Sequence, residues 1–371
     1  MLVDARPLQG GHARRGIGTY TRQLLRALIA AGFDDRLAVL VDPGRRPPEL
    51  PPSRLRTCAA VHRSRGRLAA YQDALGLART LRHLAPACYH AVHPSLPLRT
   101  RVPVIVTVHD CIPWRLGVPG LRGERWRTLP ARRLLPRARL ALAVSSATAR
   151  DLVTVTGLDP GRVRVIPEGL DPELHPRDGA EERVRARFGL TGPFLLHVGA
   201  LDRRKDPAGL LRAWAAARAS GLDAPLVLAG ELGPQAPLDL GGARRLGYVE
   251  TATLADLLSA AACCLVSSRY EGFGLPALEA MGCGCPIVAF RNSSLPEVLG
   301  DAGALVPDGD AGALGRAAAR LARPGPERAE ARARGLARAA LFTWERTARE
   351  TIDAYDGVMG WERPASAPPA G

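Results

Sequence analysis

Two glutamates, Glu271 and Glu279, bracket the run Gly272-Phe273-Gly274-Leu275-Pro276-Ala277-Leu278. The apolar stretch Cys263 to Ser267 leads into these glycines and predicts a strand. Pro276 predicts a helix start, because a proline there gives up an N–H that has no intrahelical partner anyway. A helix N-terminus reached through a turn of little side-chain bulk suits an anion, above all a phosphate. A carboxylate is repelled by phosphate, so Glu271 and Glu279 are assigned to hydroxyls. Phosphate with hydroxyls at both ends describes a nucleotide-sugar. A plain strand–turn–helix with two surface glutamates would carry the same residues, and this stretch alone leaves both readings open.

A second feature is Lys205, the one lysine among 51 Lys and Arg residues. Lysine is a compact point charge and arginine a planar fork, so a lone lysine in an arginine-biased chain is a candidate for work that arginine cannot do. Chance is the competing explanation. Lys205 lies in Gly199-Ala200-Leu201-Asp202-Arg203-Arg204-Lys205-Asp206, directly after an apolar stretch, and His109-Asp110 ends another. Other polar clusters point to structure. Asp308-Gly309-Asp310 has the composition of a metal site, yet it precedes Ala311-Gly312-Ala313-Leu314, where helix capping is expected. His90 and His93 lack a third ligand, and Cys283-Gly284-Cys285 lacks a second pair, so no metal site is expected. The seven scattered cysteines read as free thiols in a reducing cytoplasm.

Strand–helix alternation must position these groups. The chain opens with a strand over residues 1–6, a polar Gly-rich loop, then Gly16-Ile17-Gly18-Thr19-Tyr20 and a helix carrying Leu24, Leu25, Leu28 and Ile29 at helical spacing. That is the start of a Rossmann-like unit. Asp42 follows the second strand where a ribose-binding acid could sit. Thr21 stands where the dinucleotide fingerprint needs its third glycine, however, and the loop is too long, which argues against an NAD site. Strands follow at 87–92, 102–108, 140–144 and from Val163, with a helix from Ser145 whose hydroxyls can cap it. The second half restarts at 194–198 and continues with strands near 225–229, 244–249, 263–267, 286–290 and 304–306. The pattern predicts an α/β protein of two doubly wound domains facing across a cleft, with ligand at the strand C-termini. The expected limits are 1–171, 172–341, a helix over 342–360 packing back toward the N-terminal domain, and a disordered Pro/Ala tail at 361–371.

The net charge of +15 raises nucleic-acid binding, but the basic residues are spread along the chain and aromatics are only 5%, leaving little for bases to stack on. No run of 18 apolar residues appears, and the N-terminus reads as a first strand, so neither a membrane span nor a signal peptide is expected. Residues 114–139 mix eight arginines with Trp and Leu. They suit either an interfacial segment on anionic lipid or a solvated helical face.

Taken in order, Gly16-Ile17-Gly18, His109-Asp110, Val165-Ile166-Pro167-Glu168-Gly169-Leu170-Asp171, Gly199 to Asp206 with Arg204-Lys205, and Glu271 to Glu279 resemble the family 4 glycosyltransferases of GT-B fold. The resemblance runs from Met1 to about Tyr355. Thr107 to Pro113 and Arg204-Lys205-Asp206 look most like bacterial mannosyltransferases of surface-polysaccharide assembly. It implies an acceptor-side domain followed by a donor domain, and transfer of a hexose with retention. The implied donor is a nucleotide-sugar, GDP-mannose first and a UDP-sugar as the alternative. The implied acceptor is a glycan or lipid-linked glycan. No cofactor or metal is implied: Arg204, Lys205 and the helix N-terminus would stabilise the leaving diphosphate. By the same resemblance Gly16 and Gly18, with Gly199 and Gly272 to Leu275 (Phe273 and Gly274 among them), bind donor phosphate. Glu271 holds donor-sugar hydroxyls, Glu279 the ribose, and His109 positions the sugar, while the base packs near Tyr248-Val249. Two departures stand out: Ala200 replaces an arginine common in relatives, and Glu168 replaces an asparagine. A GT-B epimerase is a further alternative. A pyridoxal-dependent phosphorylase would need Lys205, which the phosphate loop already claims. The implied location is cytoplasmic, with peripheral contact to the inner face of the cell membrane as a further possibility.

Overall fold

The computed structural model describes residues 1–10, 16–60, 69–115, 122–233 and 239–360. The tail at 361–371 and residues 116–121 of the arginine-rich segment lie outside them. The chain divides into two compact units. Unit 1 comprises Met1–Gly169 with the segment from Trp344, and unit 2 comprises Leu170–Thr343.

Unit 1 is built on strands β1 (Leu2–Asp4), β2 (Ala38–Val41), β3 (Arg56–Ala59), β4 (Tyr89–Ala91), β5 (Val104–Val108), β6 (Leu140–Ala143) and β7 (Val163–Val165). They form one parallel sheet in the order β3-β2-β1-β4-β5-β6-β7. A parallel sheet is covered on both faces, so central strands become continuous apolar runs. Val104-Ile105-Val106-Thr107-Val108 is buried throughout. Strand β3 carries no such signal, because it lies at the sheet edge and most of Arg56-Thr57-Cys58-Ala59 is exposed. Helix Gly16–Ala30 and the last helix, Trp344–Met359, pack together. Tyr20 meets Trp344 ring edge to face at 5.7 Å, and Thr347 Oγ1 donates to Pro167 O at 2.7 Å.

Unit 2 holds β8 (Leu195–Val198), β9 (Leu226–Ala229), β10 (Arg244–Gly247), β11 (Cys263–Val266), β12 (Ile287–Phe290) and β13 (Ala304–Val306). Their order is β10-β9-β8-β11-β12-β13, again all parallel. Its core joins Leu210, Ala213 and Trp214 of helix Pro207–Ala219 to Leu314, Ala318 and Leu321 of helix Ala311–Leu321. Asp310 caps the latter, its carboxylate accepting from Ala313 N at 2.8 Å. The Arg/Ala-rich run folds into helix Pro326–Ala339, as its high helix propensity favours, and the final helix starts at Trp344. No described helix is long and apolar enough to cross a membrane.

In each sheet the order reverses once, with β1 beside β4 and β8 beside β11. At such switch points the connections leave on opposite faces, and a crevice opens beyond the strand C-termini.

Candidate active site

The loop that leaves β8 must turn back sharply. Gly199 does so at φ +114, and a Cβ there would touch Lys205 Cε and Nζ at 3.5 and 3.6 Å. A Cβ on Gly230, at φ +151, would overlap the Gly199 carbonyl. Two glycines thus let two backbones and a lysine chain share one space. Asp202 then builds the turn Arg203–Lys205, its Oδ1 accepting from Arg204 N at 2.9 Å and Lys205 N at 3.2 Å. Asp206 begins the next helix, with its carboxylate on Gly209 N at 3.0 Å.

That turn delivers Lys205, buried to 4% exposure, to the loop after β11. Lys205 Nζ donates to Glu271 Oε1 at 2.5 Å, Arg204 donates to Glu271 Oε2 at 3.1 Å, and Ser268 Oγ donates to Oε1 at 2.6 Å. Burial alone would push the Glu271 carboxyl up. The charges of Lys205 and Arg204 outweigh it, and with the bonds from Lys205 and Ser268 they bring the carboxyl down to about 2. Further bonds lock the two loops: Ser267 Oγ donates to Lys205 O at 2.6 Å, and Arg269 N to Arg204 O at 2.9 Å. Glu271 is therefore occupied by protein partners on both oxygens, a duty that the sequence did not signal. An ammonium has three N–H bonds, and among the described residues Lys205 spends one of them, on Glu271.

Gly272, Phe273 and Gly274 follow as buried backbone, with Gly274 at φ +104 as N-cap of helix Leu275–Gly282. Pro276 is the second helical residue. Phe273 packs edge to face on Phe342 at 5.8 Å. The turn is braced from β12 by residues the sequence reading passed over. Ser293, at φ +44, accepts from Glu271 N at 2.9 Å, and the Ser294 hydroxyl lies 3.0 Å from Glu271 O and 2.7 Å from Phe273 O. Their signal was a polar run, Asn292-Ser293-Ser294, at the C-terminus of an apolar strand. Glu279 is half-buried on the same helix. Tyr248, 44% exposed, and half-buried Val249 follow β10 at the sheet edge.

In unit 1, His109 stands at the end of β5. Its Nε2 lies 2.9 Å from Val92 O and its Nδ1 3.0 Å from Glu168 Oε1, with Tyr20 packed edge to face at 4.7 Å. Burial would lower the His109 pKa, but the hydrogen bond and charge of Glu168 reverse that, and the group is raised. Beside it, His90 is fully buried, with Nδ1 2.6 Å from Tyr355 Oη and Nε2 2.8 Å from Thr107 Oγ1. Burial takes the His90 pKa down to about 3, so this ring is a neutral structural link. Gly16 is the first residue of helix Gly16–Ala30 and Gly18 lies inside it, so both belong to the helix. Gly16 is exposed, and a Cβ there would touch nothing within 4 Å.

Comparison with known proteins places these units. Residues 14–174 match the profile of Glycosyltransferase Family 4, and residues 192–323 that of Glycosyl transferases group 1. O-antigen chain mannosyltransferase B of Escherichia coli is 34% identical over 60% of this chain and 61% of that protein. The MMP alpha-(1->4)-mannosyltransferase of Mycolicibacterium hassiacum is 34% identical over 69% of this chain and 66% of that protein. The chain thus spans just under two thirds of the length of these curated relatives. Among solved structures, sucrose-phosphate synthase from Thermosynechococcus elongatus superposes with a TM-score of 0.75 at 24% identity, covering 97% of this chain and 98% of that one.

Proposed function

Because the chain belongs to the family 4 glycosyltransferases and has their GT-B fold, we propose that it moves a hexose from a nucleotide-sugar to a glycan or lipid-linked glycan, with retention at the anomeric carbon. The donor is GDP-mannose and the setting surface-polysaccharide assembly. The mannosyltransferases among its relatives support this choice.

The observation that carries the reading is the buried Lys205–Glu271–Arg204 cluster at the β8/β11 switch point. As the glycosidic bond breaks, negative charge grows on the leaving diphosphate. A lysine and an arginine already fixed on one carboxylate meet that charge without reorganising. They take the part that a metal plays in other transferases. The short helix beginning at Leu275 adds its positive end. Glu279 takes the ribose and His109 orients the sugar. The acceptor oxygen bonds to the anomeric carbon as the bond from that carbon to the diphosphate breaks, and the acceptor proton passes to an oxygen of the departing diphosphate.

Nucleotide release from GDP-mannose, with mannose-terminated acceptors and with excess chelator, tests the reading, and the anomeric configuration of the product tests retention. A thermal-shift series with GDP, GDP-mannose, UDP and UDP-glucose separates the guanine donor from the uracil alternative. Stabilisation by UDP compounds alone would move the assignment to a UDP-sugar, and release without an acceptor would favour an epimerase.

A further inference from the structure

Glu168 is the residue of unit 1 that the transfer reaction, as read above, does not use, and its placement is unusual. It follows β7 and is nine-tenths and more buried, with 4% of its side chain exposed. Among the described residues its one hydrogen-bond partner is His109. A carboxylate held away from water needs a cation or several donors. Among the described residues it has a single imidazole.

The His109 ring has an acceptor at each nitrogen. Val92 O can only accept, so Nε2 carries a hydrogen and donates to it. A carboxylate oxygen faces Nδ1. Both nitrogens can be satisfied together only when the pair holds one further proton, placed between Nδ1 and Oε1. A neutral imidazole and an ionised Glu168 would set two lone pairs against each other at 3.0 Å.

We propose that Glu168 is a positioning residue that holds His109 as an imidazolium with both N–H groups committed. The inference rests on the transfer reaction proposed above only for its kinetic consequence. His109 then meets substrate as a fixed cation with no lone pair, and it cannot be the base that takes the acceptor proton. That task stays with the departing diphosphate. The other titratable groups around the ring do not replace Glu168. Asp110, the next residue, adds negative charge and supports the cation. His90, on β4, is neutral above about pH 3, and Tyr20, on helix Gly16–Ala30, is a phenol that burial keeps protonated.

The test uses the full-length protein with ¹⁵N-labelled histidine. The His109 ring resonances, assigned by their loss in His109→Gln, are followed from pH 5 to 9 in wild type, Glu168→Gln and Glu168→Asp. The wild-type ring should titrate above the ordinary histidine range. Glu168→Gln should lower it by more than about one pH unit, and Glu168→Asp should keep it high. In the transfer assay Glu168→Gln should lose roughly tenfold or more in kcat/KM at pH 8, yet come within about threefold of wild type at pH 5.5. An unchanged ring titration in Glu168→Gln, or a rate loss equal at every pH, overturns the proposal. If Glu168→Gln does not fold, Glu168→Asp decides: an ordinary or lowered ring titration there has the same force. The titration needs no donor, so failure of wild type to use any mannosyl donor would sink the substrate assignment and leave this pair standing.

Discussion

Lys205 and Glu271 are each expensive to bury alone and acceptable together. Removing one member of such a pair leaves an uncompensated charge, at a cost of about 3–5 kcal/mol. Lys205→Ala should therefore lower stability in a urea titration by roughly that amount as well as abolish transfer. Lys205→Met/Glu271→Leu should recover much of the stability without recovering transfer, because apolar replacements of a buried pair are often tolerated. The pH dependence has a definite sign. Glu271 is depressed in the folded state to about 2. Its contribution is fully present above the unfolded pKa and is lost as pH falls from about 5 toward 2. A shift of that size corresponds to ~3 kcal/mol. Acid unfolding followed by circular dichroism should begin at higher pH in Glu271→Gln, the lost stability being already absent. His109 runs the other way: its raised pKa stabilises the fold at low pH and fades as pH rises through the folded value.

Loops and caps, more than the strands they join, decide how these groups meet. Gly230→Ala would drive a methyl group into the Gly199 carbonyl and prise the β8 loop from the β9 loop. It should cost more than about 2 kcal/mol and lower kcat sharply, as measured by melting and by nucleotide release. Asp310 offers the contrast. Its carboxylate caps a helix and touches no site residue, so Asp310→Ala should cost about 1 kcal/mol and leave kcat unchanged. The comparison separates a glycine needed for site geometry from an aspartate needed for a helix. The strands and most helices were legible because buried parallel strands are apolar throughout and helices repeat at 3.6 residues. Edge strand β3 was illegible for the complementary reason: exposure removes the pattern.

At the scale of the whole molecule, the last helix is part of unit 1, although more than 170 residues of unit 2 precede it in sequence. Tyr355 bonds to His90 at 2.6 Å, and Trp344 and Tyr355 are buried against the first half of the chain. Truncation after Thr343 should expose this face. Hydrogen exchange should quicken across helix Gly16–Ala30 and strands β1 and β4, while β8, β11 and β12 keep their protection. Equal loss of protection in both units would show that they do not unfold separately.

The sequence alone determined the two α/β halves, the candidates Lys205, Arg204, His109, Glu271 and Glu279, and the resemblance to a sugar transferase, because periodicity, glycine placement and residue type are local properties. Tertiary structure alone decided how the charges are shared. It set Glu271 under Lys205 and Arg204, and Glu168 under His109, pairings 66, 67 and 59 residues apart. It also recruited Ser268, Ser293 and Ser294 as props. Partner choice inside a protein depends on which loops a parallel sheet brings to the same end. Residues that look like independent ligands in the sequence are, in the folded units, first of all ligands for one another.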